Sequence, residues 1–181
     1  MSTQNNFKRY TLSVLVEDKP STLTRIAGLF ARRAFNIHSL AVGPTQTPGV
    51  SRVTIVTDES SNPIEQIVNQ LRKLIYVLKV DVMDVESMLS REVILIKISV
   101  ESEGSARTAA LEVVDLFRAK VIDVTPVSLT IQATGAPDKL KGLVDALEPY
   151  NIIEMVKSGT IALTRGPQTI EMTHHLGDVI D

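Results

Sequence analysis

Two kinds of hydrophobic spacing alternate along the chain, and each predicts a different kind of element. Near the start, Leu12, Val14 and Val16 alternate with other residues, a pattern typical of a strand with one better-buried face. After Pro20 the apolar positions recur at helical spacing, which predicts a helix with one core-facing stripe. That stripe consists of Leu23, Ile26, Ala27 and Phe30. Pro20 suits a first helical turn, where no backbone N–H is needed, so we predict that the helix starts there.

The first half of the chain continues with a hairpin, a helix and a strand. Residues 37–42 form an extended apolar run, residues 43–49 break it with two Pro and two Gly, and residues 50–57 alternate again. Asn62-Pro63 opens a second predicted helix. Its apolar stripe consists of Ile64, Ile67, Val68, Leu71, Leu74 and Ile75. Residues 77–85 are rich in β-branched side chains, so the predicted order is strand, helix, strand, strand, helix, strand.

The same order begins again after a polar joint at residues 87–92. A strand at 93–100 is followed by a helix from Gly104-Ser105, a hairpin over 120–134, a helix from Pro137 and a strand at 152–156. Some letters also recur, since Arg33-Ala34 reappears as Arg118-Ala119. A repeated βαββαβ unit of the α+β class is the simplest explanation.

The repeat predicts two domains, at residues 8–86 and 92–166. The second domain ends with an edge strand at residues 160–164, and a flexible tail follows at residues 167–181. Each unit has about 75 to 80 residues, a size that buries only about 60% of the unfolded surface and is marginally stable alone. One face of each sheet would also need a cover. We therefore predict a homodimer.

Composition excludes several functions. The 19 Lys and Arg against 21 Asp and Glu give a net charge of -2, so no overall field attracts nucleic acid or an anionic membrane. An RNA-recognition role is disfavoured by 4% aromatic residues and no Trp. There is no cysteine, no secretion signal and no membrane-spanning apolar run, which favours a cytoplasmic location, or a stromal one after transit-peptide removal.

The most distinctive candidate chemistry lies where the first strand gives way to the first helix. Free N–H groups of Ser21, Thr22 and Leu23 could hold a small anion or carboxylate. The alternative is an ordinary capped helix, in which Asp18 and Ser21 merely satisfy backbone donors. Asn36-Ile37-His38 begins the next strand, which we expect near the dimer seam, and the Asn36 amide offers both donors and an acceptor.

Other polar groups form no recognisable reaction centre. His174-His175 lacks the spacing of a metal site, and no nucleophile set, paired carboxylates or phosphate loop occurs, so we predict no catalytic and no metal site. Arg25, Arg32 and Arg33 are interpreted as a solvated helix face, with a partner contact as the alternative.

At this point the sequence resembles the small regulatory subunit of acetohydroxyacid synthase, also called acetolactate synthase. The resemblance runs from about Lys8 to Gly166. The matching stretches are residues 16–23, 29–40, 52–55, 91–97, 122–126 and 158–166. It implies an N-terminal ACT domain followed by a second domain, both ferredoxin-like.

The resemblance also implies a function. In this family valine, leucine or isoleucine binds between two ACT domains and inhibits a large catalytic subunit, which carries thiamine diphosphate, magnesium and FAD. The small subunit activates that enzyme and would itself hold no cofactor. The family's effector loop falls on Asp18, Pro20, Ser21, Thr22 and Leu23, and the facing wall on Asn36, Ile37 and His38.

This chain departs from the family pattern at two glycines, which are replaced by Ser21 and Ala34, and at Asp18, where Asn is common. A side chain at Ser21 hinders close approach of a ligand to the backbone. Asp18 would attract an ammonium group and repel a carboxylate. Weakened, altered and absent feedback therefore all stay open, as does a freestanding ACT-domain sensor with another target.

Overall fold

The structure, a computed structural model, describes residues 9–58, 63–100 and 104–170. The first half has the predicted order of elements. They are β1 (Arg9–Glu17), α1 (Thr22–Arg32), β2 (Ile37–Pro44), β3 (Val50–Asp58), α2 (Ile64–Leu71) and β4 (Val77–Met83). The strands form an antiparallel sheet in the order β2-β3-β1-β4.

The second half repeats this topology and confirms the predicted α+β class. Its elements are β5 (Met88–Ser99), α3 (Ser105–Leu116), β6 (Lys120–Val124), β7 (Ser128–Gly135), α4 (Pro137–Leu147), β8 (Ile152–Lys157) and β9 (Ile161–Thr164). The sheet order β6-β7-β5-β8 matches that of the first half. Strand β9 pairs with β5, in agreement with the predicted extra strand.

The chain divides into two compact units between Leu89 and Ser90 and again between Ile161 and Ala162. Each unit has its own hydrophobic cluster, formed by one sheet face and two helices. In the first, the rings of Phe30 and Phe35 meet edge to face with centroids 6.2 Å apart. His174-His175 and most of the predicted flexible tail lie outside the described residues.

Three predicted boundaries are wrong. Helix α1 begins at Thr22 instead of Pro20, because Ser21 has a left-handed backbone and Pro20 lies in the preceding turn. Helix α2 ends at Leu71, so Leu74 and Ile75 lie beyond it, and Ile75 is exposed. Strand β5 begins at Met88, inside the stretch predicted to be a polar joint.

The predicted stripe of α1 is also shifted. Its buried residues are Thr22, Ile26, Leu29 and Phe30, whereas Leu23 is 43% exposed. A start two residues later does not rotate a helical pattern by itself. Tertiary packing instead selects the face that contains Thr22, which leaves Leu23 available at the surface.

The two repeats correspond in backbone conformation, but this correspondence is shifted by one residue from the match between their sequences. After α1 the left-handed residue is Ala34, with φ 56°, and the N–H of Phe35 donates to the Phe30 carbonyl oxygen at 3.1 Å. After α3 the left-handed residue is Arg118, with φ 53°. Both ends therefore have a Schellman-type C-cap, a position that glycine occupies without strain. Ala34 corresponds to Arg118 in structure, although it matches Ala119 by letter.

Replacing Ala34 with glycine is expected to stabilise the protein. A left-handed backbone costs a non-glycine residue about 1–2 kcal/mol, so Ala34→Gly should raise the free energy of unfolding by about 1 kcal/mol after the entropy of glycine is counted. Hydrogen exchange of the most protected amides of β1 and β3 measures this change for the first unit, because one denaturation midpoint does not separate the two units. The matched control is Ala31→Gly inside α1, which should lower stability by about 1 kcal/mol. Equal effects of the two substitutions on stability would contradict a left-handed backbone at Ala34.

Candidate functional site

The loop after β1 is fixed by backbone hydrogen bonds to two neighbouring connections. The N–H of Glu17 donates to the carbonyl oxygen of Tyr76 at 2.9 Å. The N–H of Asp18 donates to Gly49, at the tip of the β2–β3 hairpin, at 2.8 Å. The N–H of Lys19 turns back to Glu17 at 2.8 Å. The loop thus has a defined path although Asp18, Lys19 and Pro20 are exposed.

The start of α1 differs from both interpretations drawn from the sequence. No side chain caps the helix, so Asp18 and Ser21 do not satisfy its backbone donors. The N–H of Thr22 is not free, because it donates to the Lys19 carbonyl oxygen at 3.3 Å, and the Thr22 hydroxyl donates to the same oxygen at 2.9 Å. No described residue accepts a hydrogen bond from the N–H groups of Ser21 and Leu23. These two donors remain available.

Ser21 and Arg25 define the chemistry beside those donors. Ser21 has φ 70° and ψ -3°, a left-handed conformation that favours glycine and strains a side chain. The Arg25 guanidinium lies one helical turn later and its Nε is 3.5 Å from the Ser21 hydroxyl. It therefore brings a positive charge next to the loop, opposite in sign to exposed Asp18.

The second set of predicted residues lies where β2 begins: Asn36 directly precedes the strand, and Ile37 and His38 are its first two residues. The Thr57 hydroxyl donates to the Asn36 carbonyl oxygen at 2.6 Å and fixes the backbone there. His38 Nε2 contacts Asp58 Oδ2 and lies 3.3 Å from Asn36 Nδ2. Arg9 Nε lies 3.4 Å from the other carboxylate oxygen of Asp58.

Sequence reasoning missed Arg9 and Asp58. Both residues are at strand ends far apart in the chain, and only the β1–β3 pairing, which places Arg9 opposite Asp58, brings them together. The available signal was the alternation of the two strands, which fixes neither their order nor their register.

The two parts of the candidate site lie at opposite ends of the first sheet. Ile37 pairs with Thr57, which pairs with Tyr10 near the start of β1, whereas Glu17 at the other end pairs with Val50. At about 3.4 Å per residue, the strand between Tyr10 and Glu17 spans roughly 24 Å. One free amino acid cannot contact both parts within one chain.

The described part of the chain contains neither a metal-binding cluster nor a membrane-spanning helix. Among the described residues, no group of three or more His, Cys, Asp and Glu side chains is arranged to hold a metal ion. None of the helices in the described ranges combines the length and the apolar character that a bilayer crossing requires.

Fold and loop geometry together define a protein with two tandem ferredoxin-like units, the first of the ACT type. Residues 12–79 match the family model described as the acetohydroxyacid synthase small subunit-like ACT domain, and residues 91–166 match the model described as the small subunit of acetolactate synthase. The chain belongs to the family of acetolactate synthase small subunits.

Similar proteins agree over nearly the whole length. The acetolactate synthase small subunit of Mycolicibacterium smegmatis is 50% identical over 166 residues, covering 92% of this chain and 96% of that protein. The one from Mycobacterium bovis is 52% identical over 163 residues, covering 90% and 96%. The crystal structure of the acetolactate synthase small subunit from Thermotoga maritima superposes with a TM-score of 0.79 at 35% identity, covering 89% of this chain and 99% of that one.

Proposed function

We propose that this chain is a regulatory, non-catalytic subunit of acetohydroxyacid synthase. It activates a thiamine-diphosphate-dependent catalytic subunit and confers feedback inhibition by valine, or by leucine or isoleucine, on branched-chain amino-acid synthesis in the cytoplasm. Membership of the small-subunit family over both domains supports this role. Thiamine diphosphate, magnesium and FAD belong to the catalytic subunit.

The separation of the two site halves is the observation that carries the proposed mode of binding. Because they lie at opposite ends of one sheet, a second copy must supply the missing half. In the proposed homodimer, the loop with Asp18, Pro20, Ser21, Thr22 and Leu23 from one chain faces Asn36, Ile37 and His38 of the other. Each dimer then has two equivalent effector sites related by symmetry.

The groups in each half suit a zwitterion with a branched side chain. The N–H groups of Ser21 and Leu23, with the Arg25 guanidinium beside them, favour a carboxylate. The Asn36 amide can bind either charged end. Exposed Leu23 and half-buried Ile37 offer apolar surface for the side chain of the effector. Asp18 adds a negative charge that would attract the ammonium group.

Reconstitution tests the proposal directly. The purified chain is mixed with the catalytic subunit, and acetolactate formation is measured with and without valine, leucine and isoleucine. We expect stimulation by the chain and inhibition of the stimulated rate by at least one of the amino acids. A coupling of about 1–3 kcal/mol would change activity or affinity roughly 5- to 150-fold. If the chain neither binds the catalytic subunit nor stimulates it, the proposed role is refuted.

The second candidate is a freestanding ACT-domain sensor that acts on another target. It predicts amino-acid binding by the chain without any effect on the catalytic subunit. Calorimetry with the isolated chain, compared with the reconstitution assay, separates the two candidates.

A further inference from the structure

The contacts of His38 determine how the neighbouring Asn36 amide can point. Its Nε2 atom contacts the carboxylate oxygen Oδ2 of Asp58 and lies 3.3 Å from Asn36 Nδ2. The side chains of His38 and Asp58 are 32% and 20% exposed, so this pair is partly shielded from water. Arg9 lies against the other oxygen of Asp58, at 3.4 Å, which leaves Oδ2 to His38.

A carboxylate can only accept a hydrogen bond, so the contact with Asp58 requires a proton on Nε2. This holds for the neutral imidazole, in which the proton then sits on Nε2, and for the imidazolium, in which both nitrogens carry one. In neither form can Nε2 accept a hydrogen bond from the amide NH2 of Asn36. Two donors would face each other at 3.3 Å.

A half-turn of the Asn36 amide removes this conflict. It exchanges Nδ2 for Oδ1 at nearly the same position, so that the Nε2–H of His38 is shared between Asp58 and the amide oxygen of Asn36. The NH2 group then points away from His38. Its two N–H donors match a carboxylate, which accepts hydrogen bonds and donates none.

We propose that Asp58 is a positioning residue for the effector site. Through His38, it holds the oxygen of the Asn36 amide inward and presents the NH2 group to the carboxylate of the bound amino acid. The inference rests on the proposed function, because it assigns Asn36 the carboxylate end of the effector. It also predicts that L-valinamide, which lacks the carboxylate, binds much more weakly than L-valine.

The hydrogen-bond chain can be broken with nearly isosteric variants. Asp58→Asn removes the charged acceptor, and His38→Leu removes the shared donor. Each is expected to weaken L-valine binding about tenfold or more in calorimetry with the full chain. His38→Gln keeps an NH2 group that can donate to both neighbours, and it should retain most of the affinity. Glu154→Gln, which breaks an exposed ion pair with Lys97 in the second unit, is the matched control.

A spectroscopic readout separates positioning from a general loss of structure. The chain has 3 histidines, and His38→Gln assigns the signals of His38 in ¹⁵N NMR spectra. The wild type should show His38 protonated at Nε2, and Asp58→Asn should shift it toward a mixture of tautomers while circular dichroism stays unchanged. A neutral Nδ1–H tautomer in the wild type would overturn the inference, and so would wild-type valine affinity in both Asp58→Asn and His38→Leu.

The same calorimetry and NMR measurements distinguish failure of the proposed function from failure of the positioning role of Asp58. If the wild type binds none of valine, leucine and isoleucine, the proposed effector role is refuted. In that case the His38 tautomer and the hydrogen exchange of the Asn36 side-chain NH2 group still test whether Asp58 positions Asn36. Slow exchange of that NH2 group, caused by a hydrogen bond to the protein interior, would overturn the positioning role of Asp58.

Discussion

Heterodimers that combine Asn36→Ala in one chain with Leu23→Glu in the other are expected to regain one of the two effector sites. Homodimers of either variant should bind no valine, because every site then has one damaged half. In the heterodimer, one site receives both intact halves and the other receives both substitutions. Binding capacity should therefore be about half that of the wild type.

Each variant carries a different affinity tag, so purification on both tags in turn yields the pure heterodimer. Calorimetry then gives the number of valine molecules bound per dimer. Leu23→Glu suits this test because Leu23 is exposed in the first turn of α1, where a carboxylate is compatible with the helix dipole but repels an anionic ligand. A heterodimer of Asn36→Ala with the Glu154→Gln control should also keep one site. Absence of binding in the doubly tagged Asn36→Ala/Leu23→Glu species would contradict a site shared between chains.

Phe30→Ala should lower the free energy of unfolding of the first unit by about 3–5 kcal/mol, the usual cost of removing a buried aromatic side chain. Phe30 is 1% exposed and packs against Phe35, so the substitution leaves a cavity and also removes an aromatic pair. Because the protein has two units, a single denaturation midpoint is not a sufficient measure. Hydrogen exchange resolves the units separately.

Amides of β1 and β3 are expected to exchange faster in Phe30→Ala, with little change in β5 and β7. The reciprocal variant is Ile131→Ala, at a fully buried position on β7, which should affect β5 and β7 first. This expectation follows from the separate membership of the two hydrophobic clusters. Equal acceleration of both units in both variants would show that they unfold together.

Two left-handed residues flank α1, and one of them, Ser21, lies in the proposed effector loop. Ser21 has φ 70° at the start of α1, and Ala34 has φ 56° after its end, so a side chain is strained at both positions where the resemblance implies glycine. At Ala34 the consequence is limited to stability. At Ser21 the hydroxyl also stands beside two free N–H donors and contacts Arg25, where the carboxylate is proposed to bind. In the proposed function, Ser21 is therefore a side chain through which this loop would alter feedback.

The sequence by itself determined the order of helices and strands along the chain. Alternation in the strands and helical spacing after Pro20, Pro63 and Gly104 are local properties, and they were sufficient for the order of elements and the internal repeat. The family resemblance depends on particular residues in the matching stretches. They also placed the loop at residues 18–23 and Asn36 among the candidate site residues. Local spacing carries this information because buried residues must return to the same face of each element.

Only the tertiary structure decided how these parts relate. Strand register, which depends on packing across the sheet, put the loop and Asn36 at opposite ends of it and brought Arg9 and Asp58 to His38. The left-handed backbone of Ser21 moved the start of α1 to Thr22, and packing against the first sheet selected the helix face that leaves Leu23 exposed. These features arise from contacts between residues distant in the chain, and such contacts leave no periodic signal in the sequence.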